Sequence, residues 1–466
     1  MVREGAEMSV TYSCLTVLVL ITGCTGDEST LPKPEKHISE PLQKQQALIW
    51  RQQLNTSALN TALAFEPYHD LATRTTAEPG AQQGQEQQQQ RNILFSPFGL
   101  ASALALLSRV TGSESRSQVL ETLGLPANST EQSFEATISA LTNLLHSLTL
   151  QEGGNGSGIQ GSKSDDGEGT ADWSGATAEV ENKGNATGNR ADQDDGRNED
   201  GAHAGGQLRL WSSLHVEGKP TLDYDNFLSK TWHAGPSLFN TSLETLMKDL
   251  QTSDKLELNN YVYFKGSQPF ERRQTVPRRF KLNATTSVEV EMMFKDDSSE
   301  VMMLYDTNCS ATVVRLGLAE TERLASLLLL PKSELQPMED CLSDSRMSFW
   351  LSNLKPGRAE ILFPKFQLRK SYNLESLLRY SGVSTVFSES ADFSGVSQKT
   401  LRLVKAPHEV LLEVEETKSE DVGRTDIMLD FSVPPRITFN RPFMLIIYDD
   451  LTGLVLLIGR VIDPTE

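Results

Sequence analysis

Sulfur, histidine and aromatic side chains are scarce in this chain: of 466 residues, four are cysteine and seven histidine, and aromatics make up 7%. There is no HExxH, no P-loop, no G-x-S-x-G and no spaced Cys/His cluster, so the usual signatures of zinc, nucleotide and nucleophile-elbow chemistry are missing. The chain is therefore read as a non-enzyme with no metal site and no cofactor. Positive charge is also short. Against 62 Asp and Glu stand 43 Lys and Arg, a net charge of −19, which argues against nucleic acid or an anionic membrane surface as partner. Apart from one short N-terminal run, no apolar stretch approaches membrane-span length.

That run, 12–22, is followed by Gly23, Cys24, Thr25 and Gly26 and then by acidic, Pro-containing text. Residues 1–26 thus read as a secretory signal peptide, with Met8 as an alternative start and Cys24 as an alternative lipid-attachment point. A polar leader (27–45) and a folded domain (46–466) come next. N-x-S/T sequons begin at Asn55, Asn128, Asn155, Asn185, Asn240, Asn283 and Asn308, a density expected of a secreted, extracellular glycoprotein. With Cys14 and Cys24 in the signal region, Cys309 and Cys341 remain. They either pair in an oxidising compartment or persist as buried thiols, and spacing alone does not decide.

Helical spacing over 46–68 predicts a buried face of Leu48, Trp50, Leu54, Leu59, Leu63 and Phe65. The Gln-rich stretch 77–90 is a predicted disordered insert. Residues 92–97 read as a short strand running into an Ala/Leu-rich helix from Pro97, and 113–124 as a helix stopped by Gly124. Between 151 and 206 the text collapses to Gly, Asp, Glu, Asn and Ser, too little apolar surface to offset ordering entropy, so disorder is predicted. At the C-terminal end, Val410, Leu412 and Val414 alternate with polar residues, and two apolar runs flank a turn at 450–453, predicting a hairpin buried on both faces. His408, beside Pro407, is expected to be a hydrogen-bonded core histidine. Between these strands lies polar text, 417–433, expected to be an exposed loop.

This arrangement resembles the serpin family, in its plasma alpha-1-antitrypsin-like group. The likeness is carried by Asn92-Ile93-Leu94-Phe95-Ser96-Pro97, NYVYFKG (260–266), 288–293, 327–331, PKFQLRKSYNLESLL with ADFSGVS (364–397), His408 with Val410 to Glu416, Pro434-Pro435, Phe439-Asn440-Arg441-Pro442-Phe443, Gly459-Arg460-Val461 and Pro464. It implies an α+β fold of three β-sheets with surrounding helices and an exposed reactive-centre loop, and a monomer. Two departures stand out. The family's peripheral helix, here 137–149, is acidic in its surroundings, which argues against heparin. Between 218 and 256 the helix lying across the main sheet looks shortened or missing, through an incomplete gene model or a real loss, and FKGSQPF (264–270) is short and lacks the family's Trp.

By the same resemblance, an inhibitory member offers its loop to a serine protease and then inserts the cut loop as a central strand. The hinge that enters must carry small, uncharged side chains on its inward face. The matching text is Glu416-Thr417-Lys418-Ser419-Glu420-Asp421-Val422-Gly423. Lys418 stands where Gly is usual, and Asp421 falls on the inward face with Ser419, Gly423 and Thr425. Counting back from Pro434-Pro435 places the reactive bond at Phe431-Ser432, which suits a chymotrypsin-like serine protease. Two readings follow. One is a protease inhibitor whose hinge opposes trapping. The other is a non-inhibitory member, either a carrier of a small hydrophobic hormone or a peptide precursor of the angiotensinogen kind, although 27–45 lacks the Arg-Val-Tyr and His-Pro-Phe text such a precursor needs.

Overall fold

Apolar runs at the C-terminus build the centre of the molecule. The computed structural model describes residues 54–74, 91–125, 130–149, 207–217, 253–268, 270–297, 299–318, 321–416 and 433–466, with positions 246, 249 and 250. All belong to one compact unit, Lys44–Glu466. The signal region 1–26, the leader 27–45, the inserts 77–90 and 151–206 and nearly all of 218–252 lie outside the described residues. So do hinge residues 417–423 and the Phe431-Ser432 bond.

Strands β15 (Phe443–Asp449) and β16 (Val455–Val461) form the predicted hairpin, every residue of both buried. They pair antiparallel, and Gly453 takes a positive φ of 77° that a side chain would disfavour. Burial on both faces explains the unbroken aliphatic text, each such side chain contributing about 1.5–3 kcal/mol. Around the hairpin a seven-stranded sheet runs β1 (Ile93–Phe95), β16, β15, β8 (Thr321–Pro331), β7 (Ala311–Leu318), β6 (Val301–Asp306) and β9 (Lys355–Gly357). A four-stranded sheet runs β14 (Arg436–Thr438), β10 (Glu360–Pro364), β5 (Ser287–Lys295) and β4 (Glu271–Lys281). In the third sheet, β3 (Lys255–Gln268) is flanked by β2 (Gln207–Val216) and by β12 (Arg402–Lys405) with β13 (Pro407–Glu416), and β11 (Phe366–Asn373) lies beyond β13.

Short polar motifs fasten these layers. Asn92 Oδ1 accepts from the backbone of Ile462 and Asp463, tying β1 to the C-terminus. Ser96 Oγ caps helix α3 (Pro97–Val110) by accepting from Gly99 N, while donating to the Leu456 carbonyl. Phe439 and Phe443 pack on Phe363 at ring centroid distances of 5.1 Å each, so the Phe-Asn-Arg-Pro-Phe text clamps the four-stranded sheet to β15.

Of the predicted helical stretch 46–68, residues 46–53 lie outside the described residues, and the described part continues past 68 to Arg74. It runs as α1 (Thr56–Asn60), a π-helical turn (Thr61–Phe65) and α2 (Glu66–Arg74). Pro67 has no N–H to offer the preceding turn, and the ladder shifts to a Glu66 N to Thr61 O bond at that point. Leu54, Leu59, Leu63 and Phe65 are buried as expected, while Leu48 and Trp50 lie outside the described residues. Helix α4 (Ser113–Thr122) is followed by Gly124 at φ +79°, and α5 (Glu131–Thr149) begins six residues before the expected 137 because Thr130 caps it by accepting from Ser133 N.

Candidate functional site

The site is a seam between two parallel strands. Residues β3 and β13 pair in register from Asn260↔His408 to Gln268↔Glu416 without a bulge. Parallel neighbours joined by a remote crossover leave each strand free to take a new partner only if the seam opens. Val262, Phe264, Val410, Leu412 and Val414 line its core face, all at most 5% exposed. On the front face, Tyr261 and Leu411 are also buried. The segment 218–245, in which the helix across this face looked shortened or missing, lies outside the described residues.

Two side-chain networks cross the seam. On the core face, His408 Nδ1 lies 2.6 Å from Asn260 Oδ1, and its Nε2 accepts from Ser96 N at 3.1 Å. Asn260 Nδ2 donates to Ser212 Oγ on β2 at 2.7 Å and to the Gly99 carbonyl of α3 at 3.0 Å. The sequence marked His408 as a core residue but did not name Asn260, Ser212 or Ser102, whose Oγ also accepts from Asn260 Nδ2 at 3.2 Å, as its network. A polar Asn-Asn pair at 259–260 inside strand text was the available signal.

Burial pulls the His408 pKa down to about 3, and protonating Nε2 would also forfeit the bond from Ser96. The unfolded chain, titrating near 6.5, takes up a proton first as pH falls. The stabilisation from neutral His408 is therefore full above pH about 6.5 and lost on descent toward pH 3, with a slope approaching ~1.4 kcal/mol per pH unit. Urea unfolding of the wild type between pH 7 and 5 is expected to show this slope, and His408→Gln to flatten it. Equal slopes would show that His408 does not titrate this way.

Beyond Glu416 the chain leaves β13. Glu416 is 8% exposed, and Lys365 Nζ lies 3.2 Å from its Oε2, a pairing of charge without hydrogen-bond geometry. Val433, 92% exposed, marks the other end of the loop. From there β14 pairs parallel with β10, and the Pro435 carbonyl accepts from Glu360 N at 3.0 Å. The strand before 417 and the strand after 433 thus belong to different sheets, and residues 417–432 between them lie outside the described residues.

Asn55, Asn283 and Asn308 are exposed, while Asn128, Asn155, Asn185 and Asn240 lie outside the described residues. Cys309 and Cys341 form a disulfide with Cα atoms 5.7 Å apart, joining the β6–β7 turn to the segment after α6 (Gln336–Asp340). Among the described residues, no helix is long and apolar enough to cross a membrane.

A three-sheet α+β fold, with the strands flanking 417–432 in two different sheets, defines the class. The family model described as Serpin (serine protease inhibitor) matches residues 76–157 and 239–464, and the chain belongs to that family. It is 29% identical over 387 residues to alpha-1-antiproteinase of Callosciurus caniceps, covering 80% of this chain and 84% of the relative. It is 36% identical over 226 residues to alpha-1-antiproteinase 2 of Equus caballus, and there the match spans about half of each chain, 47% of this one and 53% of the relative. Among solved structures, human thyroxine-binding globulin complexed with thyroxine superposes at a TM-score of 0.59 and 21% identity, covering 89% of this chain and all of that one. Uncleaved ovalbumin superposes at 0.59 and 19%, covering 88% of this chain. These structural likenesses bear on fold alone.

Proposed function

We propose that this serpin presents 417–432 to a chymotrypsin-like serine protease, is cut at Phe431-Ser432, and traps the protease poorly because its hinge resists insertion. The observation that supports this reading is the closed seam ending at the hinge, with β3 and β13 paired as far as Glu416. An inserted hinge would run antiparallel between them. Asp421 would then face the Val262, Phe264, Leu412 and Val414 row, which offers no partner for a carboxylate. Leaving it unpaired costs at least about 1–3 kcal/mol, more if it stays ionised. Glu420, on the other face, would meet the Glu413 and Glu415 row, and like charges on neighbouring strands add a smaller penalty.

Incubation with chymotrypsin followed by a denaturing gel tests the reading. The expected result is a clipped chain and free protease. A detergent-stable adduct in most molecules would overturn it. Clipping without an adduct also fits a peptide-source role or a carrier role, the carrier role having a thyroxine-bound structure of a similar fold as its precedent. We further propose a secreted glycoprotein with acceptors at the exposed Asn55, Asn283 and Asn308, whose glycans a mass loss on enzymatic deglycosylation would register and an unchanged mass would refute.

A further inference from the structure

The core-face network has a counterpart on the front of the sheet, nearer the hinge. Tyr263 on β3 donates to Glu413 Oε2 on β13 at 2.9 Å. Glu413 Oε1 in turn accepts from Gln367 on β11 at 3.0 Å, and the Arg209 guanidinium of β2 lies 5.9 Å from the Tyr263 ring centre. One string of side chains therefore crosses four strands. A second bond follows one step nearer the hinge, where Lys265 Nζ lies 2.8 Å from Glu415 Oε1 and 4.0 Å from Glu413 Oε2. Both donors sit on β3 and reach diagonally to the acceptors on β13, because the register sets Tyr263 opposite Leu411 and Lys265 opposite Glu413.

We infer that Tyr263, Lys265, Glu413 and Glu415 form a front-face latch that sets how readily the β3–β13 seam opens. Charge-assisted hydrogen bonds are the strong ones, and these are half-buried, so they are screened less than surface pairs. Strand entry must break both diagonals, because any strand between β3 and β13 drives donor and acceptor a further strand spacing of about 4.8 Å apart. The β11–β13 contact Arg369–Glu409, at 3.1 Å, lies on the same face but does not cross the seam, so entry leaves it intact. The latch acts on opening and touches no protease, which makes these positioning residues. The inference rests on the reading that the loop would enter at this seam, but it does not depend on whether the chain's own hinge can do so.

The test uses a fluorophore-labelled synthetic peptide of sequence 417–430 carrying Lys418→Gly and Asp421→Ala, so that hinge charge is removed from the question. Its uptake by the full uncleaved chain is followed on native gels. Tyr263→Phe and Glu413→Gln are each expected to speed uptake about five- to tenfold, consistent with loss of one charge-assisted bond. The double variant should be little faster than either single one, because both remove the same bond. Arg369→Gln should match the wild type. Equal acceleration by Arg369→Gln, unchanged rates in Tyr263→Phe and Glu413→Gln, or no uptake by any variant would overturn the latch. A fast-inserting native hinge would overturn the proposed function and leave these ratios as they are.

Discussion

Replacing Glu339 with alanine is expected to destabilise the protein by about 3–5 kcal/mol, the cost of breaking a buried ion pair from one side. The Arg460 and Glu339 side chains are 1% and 2% exposed, with Nη1 and Oε1 2.8 Å apart. Tyr68, also fully buried, donates its hydroxyl to the same Oε1. Burial first, and the neighbouring carboxylate second, push the Tyr68 pKa up, so the phenol keeps the proton this bond needs. Arg460 has further bonds to the Arg91 carbonyl at 3.0 and 3.1 Å, but a carbonyl does not neutralise a guanidinium. Together with Tyr68 the pair joins α2, α6 and β16, so its loss reaches the central hairpin. Adding Arg460→Met to Glu339→Ala should recover much of the loss, because the uncompensated charge is then gone. Guanidinium unfolding midpoints measure both effects. A loss below about 1 kcal/mol in the single variant would mean that water reaches the pair.

Restoring a small, neutral hinge has the largest expected functional effect. Lys418→Gly with Asp421→Ala should turn the chain from a substrate into a trap. After the protease acylates the loop, hydrolysis and insertion compete, and the ratio of products follows the ratio of rates. Removing an unpaired inward carboxylate lowers the cost of insertion by at least about 1–3 kcal/mol, which shifts that partition by roughly 5- to 150-fold. The adduct should rise from a trace to a major band on a denaturing gel. Asp421→Ala alone should give most of the gain, since by the family's pattern insertion begins at Ser419, after Lys418. An unchanged adduct fraction in the double variant would place the obstacle elsewhere, the latch at Tyr263 and Glu413 being the next candidate.

Those parts of the fold written in local text were legible from the sequence. Unbroken aliphatic runs around Asp450 to Gly453 announced a doubly buried hairpin, and Pro97 ahead of Ala/Leu-rich text announced the start of a helix. His408 was legible too, because a histidine between strand residues and a proline has few ways to be satisfied. The lateral networks were not. Tyr263 and Glu413 are 150 residues apart, and only the parallel register of β3 and β13 brings them together. The acidic text of β13 reads as a solvated face until Lys265, Gln367 and Arg369 are placed beside it. Cys309 and Cys341 could equally have been isolated thiols, because their closeness depends on where the β6–β7 turn meets the end of α6. The π-helical turn was hidden for a different reason: hydrophobic spacing continues through it, and only Pro67 marks the shift in ladder.

The central claim is that a cut hinge stays out of the sheet, and the thermal midpoint of the cleaved chain tests it most directly. Insertion adds a fully paired central strand at the β3–β13 seam, so it raises the melting temperature steeply, whereas a loose cut loop adds nothing. After clean chymotrypsin cleavage near Phe431, the wild type should melt within a few degrees of the intact protein, and the Lys418→Gly, Asp421→Ala variant well above it. A rise of tens of degrees in the cleaved wild type would contradict the account.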